Sequence, residues 1–179
     1  MRVVAGSIVA ILIAGMLSAC SSDPDKKPPP CPRVSILADT AKLTRFRVGG
    51  GQQPADMALE AEILKYRGSC EYDPGKKTME VVLQVGFGVK LGPAATDRQA
   101  NFSYFLAIPE FHPDPRAKAL LPVSLTVADK TDPVTYKDDE LVIHIPVPDI
   151  KTIAKYEMFL GLQMDAQELA YIREHRGQH

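Results

Sequence analysis

Residues 78–91 contain the longest strict alternation of apolar and polar side chains in the chain. Apolar residues occupy seven consecutive odd positions, namely Met79, Val81, Leu83, Val85, Phe87, Val89 and Leu91. A helix with about 3.6 residues per turn cannot place all of them on one side, whereas a β-strand places them on one face. The pattern therefore predicts a long strand with one buried face, and it commits the chain to a fold built around a sheet.

Six further segments carry the same alternation at lower strength: 34–37, 57–64, 101–108, 121–128, 141–148 and 156–163. Turn-forming Gly, Pro and Asp residues separate them. About seven short strands of this kind are typical of an all-β antiparallel sandwich, immunoglobulin-like or fibronectin-like, with an open barrel as the second choice. Pro122 and Pro146 interrupt two of the segments, so those strands are expected at sheet edges or bends.

One short helix is predicted at the carboxyl end of the chain. Asp165 and Glu168 have the spacing of a capping box, in which each side chain bonds the other residue's backbone N–H. Leu169 and Ile172 follow at helical spacing, and Gly177 is expected to end the helix. A helix of about ten residues is marginal alone, so it should dock on the strands.

The amino terminus has the organisation of a secretory signal. Arg2 is the only charged residue among residues 1–19, an apolar run follows it, and small residues precede Cys20. The four residues Leu17-Ser18-Ala19-Cys20 resemble the lipobox of bacterial lipoproteins. The resemblance implies that the signal is cut before Cys20, whose thiol receives diacylglycerol and whose new amino group is acylated, for example with palmitate.

The resemblance also implies a location. Ser21, rather than Asp, follows the cysteine, which in the enterobacterial sorting scheme favours the periplasmic face of the outer membrane. Lipid chains contribute about 0.8 kcal/mol per buried methylene, so two or more chains hold a protein durably. The ending from Tyr156 to Arg173 is in addition similar to uncharacterised proteobacterial envelope lipoproteins, and this likeness carries no catalytic residues with it.

The mature chain divides into a stalk and a domain. Five of the twelve residues 21–32 are Pro, a composition that favours extended polyproline II at about 3.1 Å per residue. We therefore predict a signal peptide at 1–19, a lipidated Cys20 with a stalk at 20–32, and a periplasmic β-sandwich at 33–179. Cys31 and Cys70 remain as an even pair in an exported chain, for which a disulfide is the default expectation.

Composition excludes one class of partner. The chain has 21 Lys+Arg against 22 Asp+Glu, and a protein that holds nucleic acid needs a surplus of basic residues to displace counterions from phosphate. A small basic patch of Lys42, Arg45 and Arg47 near the stalk is a candidate surface for a partner or for anionic headgroups. The alternative interpretation is that these are charged positions that protect an edge strand.

No constellation typical of catalysis or of cofactor or metal binding is found in the sequence. His112 has Glu110 and Asp114 nearby, but a Pro-rich turn between strands explains that segment equally well. The acidic residues of segment 137–140 are expected at a solvated hairpin tip. The leading hypothesis is a non-enzymatic, lipid-anchored module that binds or scaffolds another envelope component. A carrier of a lipid or apolar ligand, and an envelope hydrolase, are the alternatives.

Overall fold

The structure, a computed structural model, describes residues 30–128 and 132–176. The predicted signal peptide, Cys20, most of the stalk, Gly177 and His179 lie outside the described residues. The described chain contains nine strands, one α-helix and several short 3-10 turns. The strands are β1 (Arg33–Ile36), β2 (Lys42–Phe46), β3 (Met57–Asp73), β4 (Thr78–Leu91), β5 (Gln99–Ala107), β6 (Lys118–Thr126), β7 (Val134–Lys137), β8 (Leu141–Pro146) and β9 (Glu157–Leu162), and the helix is α1 (Ala166–Glu174).

The strands form two sheets that pack face to face. One sheet has the order β1-β9-β5-β6, and the other has the order β2-β3-β4, followed by β7 and β8, which lie one after the other along the far edge of β4. All pairs are antiparallel except β1 with β9, which is parallel. The predicted fold class, an all-β sandwich with a short carboxyl-terminal helix, is confirmed.

The core lies between the two sheets and is built on the alternation of β4. All seven odd residues of that strand are buried, at 4 % exposure or less. Phe87 lies at the centre, where its ring contacts Phe102 and Tyr104 of the opposite sheet at centroid distances of 5.3 and 5.1 Å. The inward positions of β5 and β9 are likewise filled by large side chains, so the sandwich has a packed interior.

Two of the nine strands were not among the predicted segments, and one is longer than predicted. β2 has five residues, and Thr44 and Arg45 between Leu43 and Phe46 break the period of two. β7 alternates but has only four residues, which is too short for a clear signal. β3 runs to Asp73 instead of ending near residue 64, because its polar second half pairs with β4 down to the hairpin turn. A register shift between Ile63 and Lys65 hides the continuation, since it breaks the alternation.

The two prolines lie on edge strands, as predicted. β6 is the outer strand of its sheet, and β8 pairs only with β4. The N–H of Val127 donates to the carbonyl oxygen of Arg98, and the N–H of Val147 donates to the carbonyl oxygen of Lys77. Along each edge strand, alternate residues bond the neighbouring strand, and counting back from these two bonds places Pro122 and Pro146 at positions whose backbone groups face away from it. Each missing N–H therefore costs no ladder bond, and Pro122 removes a donor from the middle of a free edge.

We expect Pro122→Val to make the protein self-associate, because it restores an outward N–H on an exposed strand edge. Sedimentation velocity should show dimers at concentrations at which the unmodified protein is monomeric. Ser124→Val is the matched control, since it adds a β-branched apolar side chain at an equivalent outward position of β6 without adding a donor. Equal self-association of the two variants would contradict this account of Pro122.

Candidate functional site

A cleft of about 960 Å³ opens at the end of the sandwich where β3 begins and β4 ends. We call it the end cleft; its walls are loop 47–56, which joins β2 to β3, and loop 92–98, which joins β4 to β5. Small side chains line much of it, among them Ala55 and Ala94 from the two loops and Ala58 from the start of β3. Polar groups come from Arg45, Arg47 and the two acids Asp56 and Asp97. The cleft thus combines a narrow apolar floor with charges of both signs.

Loop 47–56 is closed by its two terminal residues. The backbone N–H of Arg47 donates to the carbonyl oxygen of Asp56 at 2.9 Å, and Arg47 Nε donates to Asp56 Oδ1 at 2.7 Å. The hydrogen bond from Arg47 lowers the pKa of the Asp56 carboxyl below its ordinary value, so the pair remains charged at neutral pH. Within the loop, Gly49 has a φ of +74°, which favours glycine. Val48, in the turn that begins this loop directly after Arg47, is fully exposed.

Arg45 joins three elements beside the end cleft. Its Nε donates to Glu168 Oε1 of α1 at 2.7 Å, and its Nη1 donates to the Asn101 carbonyl oxygen of β5 at 2.8 Å. β9 ends at Leu162, and the N–H of Gln163 makes the last backbone bond to β5, at Ser103. Asn101 O is the next carbonyl on that side of β5, so the guanidinium takes the place of a missing strand.

Two further concavities border the end cleft at Arg45. One, of about 710 Å³, follows β5 and β6 past Asn101, Ser103, Pro122 and Ser124, and the other, of about 610 Å³, lies between β2, the glycine-rich loop and α1. Arg45 lines all three. We call this region, from Val48 past Arg45 to Ser124, the Arg45 surface.

Two of the three residues of the predicted basic patch belong to the Arg45 surface, and the third lies elsewhere on β2. Arg45 and Arg47 line the end cleft, whereas Lys42 lies outside it. Each cation is paired with a carboxylate: Lys42 with Glu60 at 3.2 Å, and Arg45 and Arg47 with Glu168 and Asp56 as above. Sequence reasoning could not have paired Arg45 with its carboxylate, because Glu168 lies 123 positions away. All three cations belong to an edge strand or its end, which agrees with the interpretation as edge-protecting charges.

The predicted disulfide is present at the other end of β3. Cys31 and Cys70 are bonded, with their Cα atoms 5.8 Å apart. Tyr66 O–H donates to the Val34 carbonyl oxygen at 2.8 Å, which adds a second link between β1 and β3. Cys70 lies three residues before the end of β3 at the hairpin turn, while the end cleft adjoins the start of β3 at Met57. At about 3.3 Å per residue, Cys70 and the end cleft are at most about 40 Å apart along β3.

A buried polar cluster, which the sequence did not reveal, ties β7 to both sheets. Tyr104 O–H donates to Asp138 Oδ2 at 2.9 Å, and Tyr136 O–H donates to Asp138 Oδ1 at 3.1 Å. Gln84 Nε2 donates to the Asp138 carbonyl oxygen at 2.9 Å, while the buried Gln84 Oε1 accepts from no protein group in the described residues. Burial, followed by the hydrogen bond to Asp138, raises the pKa of Tyr104. The predicted hairpin at 137–140 is absent, because β7 and β8 both pair with β4 and not with each other. Asp138 is half-buried against Tyr104, whereas Lys137, Asp139 and Glu140 are exposed, as the prediction of a solvated segment requires.

The described histidines are dispersed. His112 is exposed in a turn and lines none of the clefts above. His144 is exposed on β8, with Nδ1 3.8 Å from Glu80 Oε2, and His175 stacks on Tyr171 at a centroid distance of 4.1 Å. Within residues 30–128 and 132–176, no group of three or more His, Cys, Asp or Glu side chains is arranged to hold a metal ion. None of the helices in the described part of the chain has the length and apolar character needed to span a membrane.

We expect Arg45→Gln to loosen α1, because the variant removes the ion pair with Glu168 and the bond to Asn101. Amide hydrogen exchange in α1 should become at least about tenfold faster, which corresponds to about 1.4 kcal/mol. Arg67→Gln is the control, since Arg67 is an exposed arginine of β3 on a different part of the sheet. Unchanged protection of α1 in the Arg45 variant would show that this residue does not hold the helix.

No protein-family model, no curated protein and no solved structure matches this chain. The arrangement of the described residues must therefore carry the functional argument. It offers two ends with different properties. One end carries the disulfide between Cys31 and Cys70, and the other end carries the Arg45 surface.

Proposed function

We propose that this chain is a lipoprotein of the outer membrane, anchored through lipid on Cys20, whose periplasmic sandwich binds another envelope component and catalyses no reaction. The lipobox resemblance and the Pro-rich stalk support the anchor. The disulfide is in keeping with export to an oxidising compartment. The partner is a protein rather than a nucleic acid, because the charge of the chain is balanced.

One observation carries the binding role. The Arg45 surface lies at most about 40 Å along β3 from the disulfide that ties the stalk to the domain. A tether at one end of a sandwich leaves the opposite end accessible, and loops at the end of a rigid sandwich are common binding positions. The fully exposed Val48 adds an apolar contact point in the loop that Arg47 and Asp56 hold closed. This combination favours recognition of a macromolecule at the end away from the anchor.

Two further observations weigh against the alternatives, a carrier of an apolar ligand and a hydrolase. A carrier needs interior space, and the inward positions are occupied by large side chains such as Tyr104, Phe87, Met158 and Leu160. A hydrolase based on His112 needs that imidazole in a pocket with a carboxylate, whereas His112 is exposed in a turn. The binding role requires neither feature.

Site-specific photocrosslinking in intact cells tests the proposal. A photoreactive amino acid at Val48 should crosslink the chain to one defined envelope protein. The matched control places the same amino acid at Val142, an exposed apolar residue on the outer face of β8, where we expect no such product. Absence of a Val48-specific product, or identical products from both positions, would contradict binding at the Arg45 surface.

A further inference from the structure

Helix α1 is held on the sandwich mainly by charged contacts. None of its nine residues is buried. Its links to the body are the pair of Arg45 with Glu168, the pairs of Arg173 and Arg176 with Asp39, and an edge-to-face contact of Tyr171 with Phe46 at 4.9 Å. Exposed ion pairs contribute little to stability, and a helix of this length is marginal without tertiary support. α1 can therefore leave the sandwich at a low free-energy cost compared with a buried element.

The strand beside α1 has an unused edge. The N–H of Ile63 donates to the carbonyl oxygen of Ala41. Alternate residues of β2 bond β3, so Lys42 and Thr44 direct their backbone N–H and C=O away from β3. Thr44 is nevertheless buried, and it lines the concavity between β2 and α1. A covering helix is one of the ways in which proteins protect such an edge. Removal of α1 would expose a strand edge of the kind that extended peptides join by main-chain hydrogen bonds.

We propose that α1 is a displaceable cover, and that an acidic, extended segment of the protein partner replaces it on β2. The backbone of the segment pairs with the free edge of β2, and one of its carboxylates takes the position of Glu168 on Arg45. This inference rests on the proposed function, which supplies the partner. It adds that the partner is acidic and that α1 controls its access to β2.

Charge complementarity selects an acidic segment. When α1 leaves, Arg45 loses Glu168, its only paired carboxylate among the described residues, while its contact with Asn101 O remains. Lys42 and Arg47 flank it on the same strand and its extension, and each keeps its own carboxylate from the sheet. A carboxylate of an acidic segment restores the charge-assisted hydrogen bond on Arg45, and a neutral or basic segment lacks that contact.

Fluorescence anisotropy with the full-length chain and a synthetic probe tests this inference. The probe is a fluorescein-labelled peptide of about eight alternating Glu and Val residues, and the matched probe carries Gln in place of Glu. Glu168→Gln weakens the hold of α1 and frees Arg45, so this variant should bind the acidic probe at least about tenfold more tightly than the unmodified chain. Glu110→Gln, which changes an exposed acid in the turn after β5 that lines none of the three concavities, should leave the affinity unchanged.

The double variant Arg45→Gln/Glu168→Gln also has a loosened helix but lacks the guanidinium. It should lose the affinity that Glu168→Gln gains, because the carboxylates of the probe then have no Arg45 to bind. Equal affinities of the Glu168 variant and the unmodified chain would overturn the inference, as would retained binding by the double variant or equal binding of the Gln probe. Self-association of the Glu168 variant in place of peptide binding would show that a second copy occupies β2, which also overturns it. Val48 crosslinks obtained alongside any of these results would leave the proposed function intact.

Discussion

Replacing Cys31 and Cys70 by serine is expected to lower the free energy of unfolding by about 4 kcal/mol. The bond closes a loop between residues 39 positions apart, and the chain-entropy relation gives about 4 kcal/mol for a loop of that length. β1 has only four residues and pairs with one strand, so it depends on this link more than the longer strands do. Chemical denaturation of the oxidised protein and of the double-serine variant measures the difference.

The control for this experiment is Cys20→Ser, which leaves the disulfide intact and should not change the denaturation midpoint of the domain. Native-state hydrogen exchange adds a local readout, in which β1 and the adjoining part of β9 should lose protection first. A difference below about 1 kcal/mol between the oxidised protein and the double-serine variant would contradict the view that the bond holds the amino-terminal part of the domain to β3.

The second large effect is expected from Asp138→Ala, which we predict to cost about 3 kcal/mol in the free energy of unfolding. The substitution removes the carboxylate that accepts from two tyrosine hydroxyls, and it leaves the O–H of Tyr104, a residue only 1 % exposed, without a partner. Hydrogen bonds to charged groups contribute about 1.5–3 kcal/mol, and a buried donor left unpaired adds a desolvation cost. Urea denaturation measures the loss.

Asp139→Ala is the matched control, since Asp139 is the exposed neighbour and should change stability by less than about 0.5 kcal/mol. Tyr104→Phe combined with Asp138→Ala should be less destabilised than the sum of the single variants, because both changes remove one hydrogen bond. Equal losses for Asp138→Ala and Asp139→Ala would show that Asp138 is solvated too.

The raised pKa of Tyr104 gives a pH dependence with a defined sign. The folded protein holds the phenol proton more tightly than the unfolded chain does, in which the pKa is near 10.0. The free energy of unfolding is therefore unaffected by this group below about pH 10 and falls as the pH rises above that value. Tyr104→Phe should reduce the alkaline loss, although Tyr136, whose pKa is also raised, contributes to what remains. An unchanged alkaline slope in the variant would contradict the assignment.

The fold could be predicted because its main signals are local. The alternation of β4 is readable within fourteen residues, and every odd position that it assigns to the core is buried. The capping box of Asp165 and Glu168 is likewise present at the predicted residues, since its two hydrogen bonds join residues three apart. β2 cannot be predicted in this way because its apolar residues are three apart, and β7 cannot because four alternating residues are too few for a clear signal.

The site could not be predicted to the same extent because its contacts are remote in sequence. The patch of Lys42, Arg45 and Arg47 was found by composition, but its carboxylate partners include Glu168 from the opposite end of the chain. Asp138 looked like one of several acids in a turn, and only the pairing of β7 with β4 directs it toward Tyr104, which lies 34 positions earlier. Local patterns thus predict strands and caps, while the ion pairs and buried hydrogen bonds depend on the packing of the two sheets.

The central claim is that the chain is anchored by lipid at Cys20 and carries its sandwich into an oxidising compartment. Intact mass spectrometry of the protein extracted from outer membranes tests it most directly. The account predicts the mass of residues 20–179 plus diacylglycerol and one further acyl chain, less two hydrogens for the bond between Cys31 and Cys70. A mass corresponding to the uncut chain, or to a processed chain without lipid, would contradict the account.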